Sequence, residues 1–431
     1  MTEISTGSAD KADPITQDQL DAMARLHVRF LEGRLGGRRA DLKNADLNGL
    51  SLKDHNLRQS SFIGCAMTNM DLSGADFQEA SLYACDLSYS NLNHAIFVRA
   101  DLRGARIENA TLKEADFEKA DLRVGGISDD NTFDGGQAVN FRGANLTGAK
   151  LAGSMASRAD FSDAILSGAN IARADLRGAQ MEGADLSGAE VQGAQFSGAN
   201  MKATILTGIA IADFKGTDID LSVAITDENV GRAVVDLEAP MAKMIDAHRL
   251  WVESAGSNGK QLDLSYIDMR GLKSLKMEKL TAIRAHGAKF FGMNMYKIEL
   301  QSAHLDEADF RNCDLVESDL RGSNFRKANF SHAKLKGANC GSLLFGEGSS
   351  TKRFSPCDFD GASFRYADLS HAKLKGALFR NADLSYTDLS GADLRDADFT
   401  GANLTRVNFE GAQTEGAKFD KSNESIFRMK E

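Results

Sequence analysis

Residues 100–119 read Ala100-Asp101-Leu102-Arg103-Gly104, Ala105-Arg106-Ile107-Glu108-Asn109, Ala110-Thr111-Leu112-Lys113-Glu114, Ala115-Asp116-Phe117-Glu118-Lys119. Each group of five has a large apolar centre, a small residue two before it, and a polar residue one before it, most often Asp or Asn across the chain. Outward from this stretch, seventeen successive positions five apart, from Leu42 to Leu122, are all large and apolar. A period of five matches neither the 3.6-residue helix nor the two-residue strand. It marks a repeat that buries one large residue per short segment, and the architecture it predicts is a solenoid.

The pattern breaks over 123–140, resumes at Phe141 and runs through Phe161 to Ile211. A second array starts near Leu264 and Met269, slips one register near Ser274, breaks at 346–358 and continues from Phe359 to Phe419. The predicted organisation is a flexible tail (1–15), a cap helix and turn (16–40), a first array (41–225), a helical linker or second cap (226–262), a second array (263–420) and a C-terminal tail (421–431). The segments before the arrays match one another: Leu26-His27-Val28-Arg29-Phe30 answers Ala247-His248-Arg249-Leu250-Trp251. Helix followed by array, twice, reads as an internal duplication. Thr16-Gln17-Asp18-Gln19 is a capping-box pattern, and Pro240 suits the first turn of the second helix. An open repeat end exposes apolar centres and unpaired backbone, so both helices are expected to cap it, with His27, Phe30, His248 and Trp251 as packing residues.

With 40 Gly and only 3 Pro, the chain favours turns with unusual dihedrals over interrupted backbone ladders. Of the five cysteines, Cys65, Cys85, Cys313 and Cys357 take small slots and Cys340 a centre, which reads as buried free thiols. The N-terminus lacks the apolar core of a signal peptide and no apolar run approaches a membrane span, so a cytoplasmic protein is expected. Residues 41–225 hold 25 acidic and 16 basic residues, whereas 263–420 hold 22 of each. That acidity disfavours phosphate-backbone binding, and no direct nucleic-acid contact is expected.

The motif, as in Ala100-Asp101-Leu102-Arg103-Gly104 and Ala392-Asp393-Leu394-Arg395-Asp396, closely resembles the pentapeptide-repeat family. The resemblance implies an all-β solenoid: a right-handed quadrilateral parallel β-helix with twenty residues per coil, here as two tandem arrays, each preceded by a helical cap. It implies buried centres, among them Leu42, Leu102, Phe161, Phe310 and Leu394. Some members of the family mimic duplex DNA and bind DNA gyrase or topoisomerase IV, with loops that interrupt the coils contributing. Asp129, Asp130 and Asp134 make the first interruption an acidic candidate loop of that kind.

No catalytic constellation has convincing spacing, no pair of histidines with carboxylates has metal-ligand spacing, and no cofactor is expected. Gly36-Gly37-Arg38-Arg39 lacks the Lys-Ser/Thr of a phosphate loop and reads as a cap-to-coil turn. His94, His332 and His371 fall at corners and read as solvated. Surfaces carry more. Tyr366, Tyr386 and Arg406 recur twenty apart and should stack as an aromatic–aromatic–cation ladder. Ile63 and Tyr83 recur in the same way, and Phe291 and Tyr296 follow their centres, where side chains point outward. The function expected is a non-enzymatic scaffold of two rigid β-helical rods for a protein partner or a second copy of the chain. The alternative is a DNA-mimicking modulator of gyrase or topoisomerase IV.

Overall fold

The computed structural model describes residues 15–125, 136–214, 218–272, 274–345 and 353–420. The chain divides into two compact units, 1–229 and 230–431. Both use the same turn. At residues 100–105, Asp101 bridges Ser81 on one side and Asp121 on the other, in parallel sense. The Leu102 N–H donates to Asp121 O at 2.9 Å, and the Asp121 N–H donates back to Ala100 O at 2.9 Å. The Ala105 N–H then closes a turn on Leu102 O at 2.9 Å, with Gly104 at φ 70°. The residue before the centre is Asp or Asn because its Oδ1 accepts the N–H two residues on, as Asp101 does from Arg103 at 3.1 Å.

This local arrangement corrects the expected closed β-helix. Among the described residues the sheets are three two-stranded pairs, and none closes into a barrel or solenoid. They are β1 (Asp41–Lys43) with β2 (Ser61–Ile63), parallel; β3 (Arg232–Ala233) with β4 (Ile267–Asp268), parallel; and β5 (Leu343–Phe345) with β6 (Arg353–Ser355), antiparallel. Elsewhere among the described residues the β pairing is by isolated single-residue bridges. The reason is the period itself. A positive-φ residue returns every fifth position, and such a residue cannot continue an extended strand. Stretches of twenty residues therefore stack as layers of turns, without continuous strand-built faces.

Inside each unit the centres and the small residues line the core. Leu102, Phe310 and Leu394 are wholly buried, Phe161 nearly so, and Leu42, in the first layer, is half-buried. Full burial of such a side chain stabilises by about 1.5–3 kcal/mol relative to exposure. Phenylalanines of adjacent layers stack: Phe290, Phe310, Phe330 and Phe364 follow one another at 4.8 Å between ring centroids. All five cysteines are free and buried.

Helix α1 (Gln17–Leu31) opens with Thr16 and Gln19 in a reciprocal capping box, and α2 (Met241–Glu253) opens at Pro240 without a side-chain cap. Each helix is fastened to its first layer by a buried histidine. His27 Nδ1 accepts the Ala40 N–H at 3.1 Å and Nε2 lies 3.0 Å from Arg58 O. His248 Nδ1 accepts the Leu262 N–H at 3.1 Å and Nε2 lies 3.0 Å from Thr281 O. Both are thus neutral imidazoles with the proton on Nε2. Next to them the chain turns tightly: a Cβ at Gly37 would sit 2.4 Å from Phe30 N, and one at Gly259 would sit 2.2 Å from Ala247 O.

Both units carry an interruption of equal size. Arg106 bridges Asn140, and Asn324 bridges Asp358, each 34 residues away rather than 20, so fourteen residues are inserted each time. The second insertion includes the antiparallel β5–β6 pair. Asp129, Asp130 and Asp134 lie outside the described residues.

Candidate protein-contact site

The outward residues fall into columns because every layer repeats the same turn at the same place. In unit 2 the corner position holds His332, Tyr366, Tyr386 and Arg406 in four consecutive layers. The His332 and Tyr366 rings stack at 5.1 Å and 10°, and those of Tyr366 and Tyr386 at 4.8 Å and 16°. The Arg406 guanidinium lies over the Tyr386 ring at 5.7 Å. His332, Tyr366 and Tyr386 are half-buried and Arg406 is exposed. The structure therefore brings the two tyrosines and Arg406 together and adds His332, which in sequence reads as a solvated corner residue. His332 lies 34 residues before Tyr366, and the fourteen-residue insertion hides its place in the column. His94 and His371 are exposed.

All four members sit at the positive-φ corner, with His332 and Tyr366 at 60°, Tyr386 at 61° and Arg406 at 56°. Glycine takes the equivalent corner of other repeats without strain at Gly337, Gly361, Gly376 and Gly391. Three large rings in succession there are held against a local conformational cost.

Phe291 and Tyr296 do not join this column. Arg311 lies over the Phe291 ring at 5.1 Å, and that guanidinium is itself buried, in a 2.7 Å ion pair with Asp309. Tyr296 lies between Lys276 at 5.3 Å and Lys297 at 5.1 Å. Hydrogen bonds to Glu317 first, and to Tyr296 second, hold the Lys297 ammonium above its ordinary range. In unit 1, Ile63 and Tyr83 lie in successive layers, and Arg103 sits over the Tyr83 ring at 5.3 Å.

Charge is contained locally. Wherever the turn reads Asp-x-Arg, the arginine folds back on its own aspartate, as in Arg321–Asp319 at 2.6 Å and Arg395–Asp393 at 2.7 Å. The Arg321 hydrogen bond helps to hold the Asp319 carboxyl below the usual carboxylate range against the opposing effect of burial. Among the described residues no group of His, Cys, Asp and Glu is placed to hold a metal ion, and no helix is long and apolar enough to cross a membrane.

A family model of pentapeptide repeats matches residues 137–178, 164–202, 303–339, 354–381 and 377–413. A model of a pentapeptide repeat region matches 38–117. Among solved structures, trypsin-treated QnrB1, a plasmid-mediated fluoroquinolone resistance protein, is 20% identical over 51% of this chain and 99% of its own, with a TM-score of 0.27. HetL, a pentapeptide repeat protein involved in heterocyst differentiation regulation from the cyanobacterium Nostoc sp. strain PCC 7120, is 21% identical over 90% of this chain and 93% of its own, with a TM-score of 0.13. A pentapeptide repeat protein from the Arabidopsis thaliana thylakoid lumen is 27% identical over 29% of this chain and 72% of its own, at 0.12. Comparison with curated proteins returns no match.

TM-scores this low carry no argument about architecture or activity. The expected scaffold of two rigid β-helical rods is corrected along with the fold, because the continuous four-sided sheet it needed is replaced by single-residue bridges. The DNA-mimicking alternative, drawn from the resemblance, the acidic first array and the candidate loop of Asp129, Asp130 and Asp134, presumes the same coiled fold and is not carried further.

Proposed function

The chain belongs to the pentapeptide-repeat family, and on that premise we propose that it is a non-catalytic protein that engages a protein partner along the ring column of unit 2. The observation that carries this reading is the stack of His332, Tyr366 and Tyr386 closed by Arg406. Tyrosine and arginine are the side chains that most often dominate protein interfaces. Rings already packed on one another lose little conformational freedom when a partner covers them, and the guanidinium at the end supplies directional donors. The partner is a protein or a second copy of this chain rather than nucleic acid. The acidic balance of residues 41–225 supports that choice. The five free thiols suit a reducing cytoplasmic setting.

The test is affinity isolation from native cells with wild type and with a Tyr366→Ser, Tyr386→Ser variant, each first checked for an unchanged far-UV circular dichroism spectrum. The expected result is a near-stoichiometric partner retained by wild type and lost by the variant. Equal recovery by both proteins, or recovery by neither, overturns the assignment of this column.

A further inference from the structure

In unit 1 the residue directly after each centre forms another column, and its order is Tyr83, Arg103, Arg123, Ser157, Arg177. Bridges Ser81 to Asp101, Asp101 to Asp121, Asp121 to Met155 and Met155 to Asp175 fix that order across the insertion. The small Ser157 leaves a notch between Arg123 and Arg177, which stand two layers, or about 9.6 Å, apart at roughly 4.8 Å per layer. With the corner residues Val124 and Arg158, the notch widens into an open cleft of about 530 Å³ lined by Arg103, Arg123, Val124, Ser157, Arg158 and Arg177.

Three of the four guanidinium groups are anchored but not used up. Arg103, Arg123 and Arg177 each engage their own aspartate through Nε and Nη2, and Arg103 Nε also lies 3.7 Å from Asp121 Oδ2. A guanidinium carries five N–H donors, so the Nη1 edge of each remains available. Arg158 is exposed and makes no side-chain hydrogen bond or ion pair among the described residues. Among the described residues, four guanidinium groups line the cleft against the three carboxylates they pair with, a local cationic excess in an acidic unit. The forks fix three of these groups in place before any ligand arrives. A carboxylate is matched by one guanidinium fork, whereas the oxygens of a tetrahedral phosphate accept from several arginines at once.

We propose that this cleft binds a phosphate-bearing small molecule, with diphosphate as its minimal form, Arg158 contacting it at the centre and Arg123 and Arg177 from either side. The site is separate from the ring column and stands or falls independently of it.

The experiment is isothermal titration calorimetry of the full chain at low ionic strength with sodium diphosphate, and with inorganic phosphate and citrate in parallel. Diphosphate is expected to bind saturably at one per chain, more tightly than phosphate or citrate. Arg158→Gln, which removes charge from an exposed side chain, should weaken binding by about tenfold or more, the usual effect of losing a charged hydrogen-bond donor. Ser157→Arg, which fills the notch, should abolish it. Arg395→Gln, at an Asp-x-Arg turn of unit 2, should leave it unchanged. The absence of saturable heat with wild type overturns the proposal without recourse to any variant. Citrate binding as tightly as diphosphate, or equal weakening by Arg395→Gln, overturns it as well.

Discussion

The two units share their frame and differ in what they present to solvent. Both carry a helix held by one buried histidine ahead of their layers, both turn through a glycine too crowded for a Cβ, and both take an insertion of fourteen residues. Outside that frame they diverge. Unit 1 sets arginines in the column directly after its centres and carries the acidic balance, whereas unit 2 lines a corner with stacked rings and is balanced in charge. The lesson is that the fivefold turn constrains the inward residues and the turn formers, and leaves the outward columns free to carry different chemistry.

The most severe way to break the comparison is through the core. Phe310→Ala removes a ring from the middle of the Phe290–Phe364 stack and should cost about 3–5 kcal/mol, while Leu102→Ala in unit 1 should cost about 2–5 kcal/mol. Urea unfolding read by circular dichroism measures both. Trp251, the single tryptophan, lies in unit 2 and reports by fluorescence on Phe310→Ala. Indistinguishable midpoints for wild type and Phe310→Ala would contradict the stacked core.

Next in size is the histidine clamp. His27→Ala and His248→Ala each strip one buried acceptor from a backbone N–H and one donor from a carbonyl. Each should cost about 1–3 kcal/mol, and by similar amounts if the two clamps are equivalent. A loss confined to one unit would show that the shared geometry does not have shared weight.

Acid sharpens the same point. Burial holds both imidazoles below their ordinary value of 6.5, with the hydrogen bonds to Arg58 O and Thr281 O opposing it. Above 6.5 both histidines are neutral in the folded and unfolded chain, and the clamps contribute fully. As pH falls below 6.5 the unfolded chain takes up protons first. Stability is therefore lost progressively until the folded pKa values are passed. Urea midpoints measured from pH 7.5 to pH 5 should fall for wild type and fall less steeply in a His27→Gln, His248→Gln variant. An equal slope in both would reject the clamps as the acid-sensitive groups.

The smallest expected effect separates the helix starts. Thr16→Ala removes the capping box of α1 and should cost about 1 kcal/mol. Pro240→Ala, at a start with no side-chain cap, should change stability by only a few tenths of that. Thermal unfolding of the two variants gives the ratio.

Much of this was legible in the chain. Leu102 and Phe310 are buried where the period of five places them, and the Thr16–Gln19 box is read from four residues. The stacking of Tyr366 on Tyr386 follows from a spacing of twenty within uninterrupted repeats. His332 escaped because an insertion separates it from its neighbour, and the notch at Ser157 escaped for the same reason, being 34 residues from Arg123. The extent of the strands was overread. A periodic core does not reveal whether pairing spreads beyond one residue, and here a positive φ in every repeat stops it.

By itself the sequence determined the period, the buried centres, the Asp or Asn turn formers and the helix caps, because each depends on residues within a few positions of one another. Only the tertiary structure decided which outward residues share a column, where a guanidinium row is interrupted, and how short the pairings are. Those depend on the layer in which the chain rejoins the stack after each insertion, and that is settled by backbone hydrogen bonds between residues 20 or 34 apart.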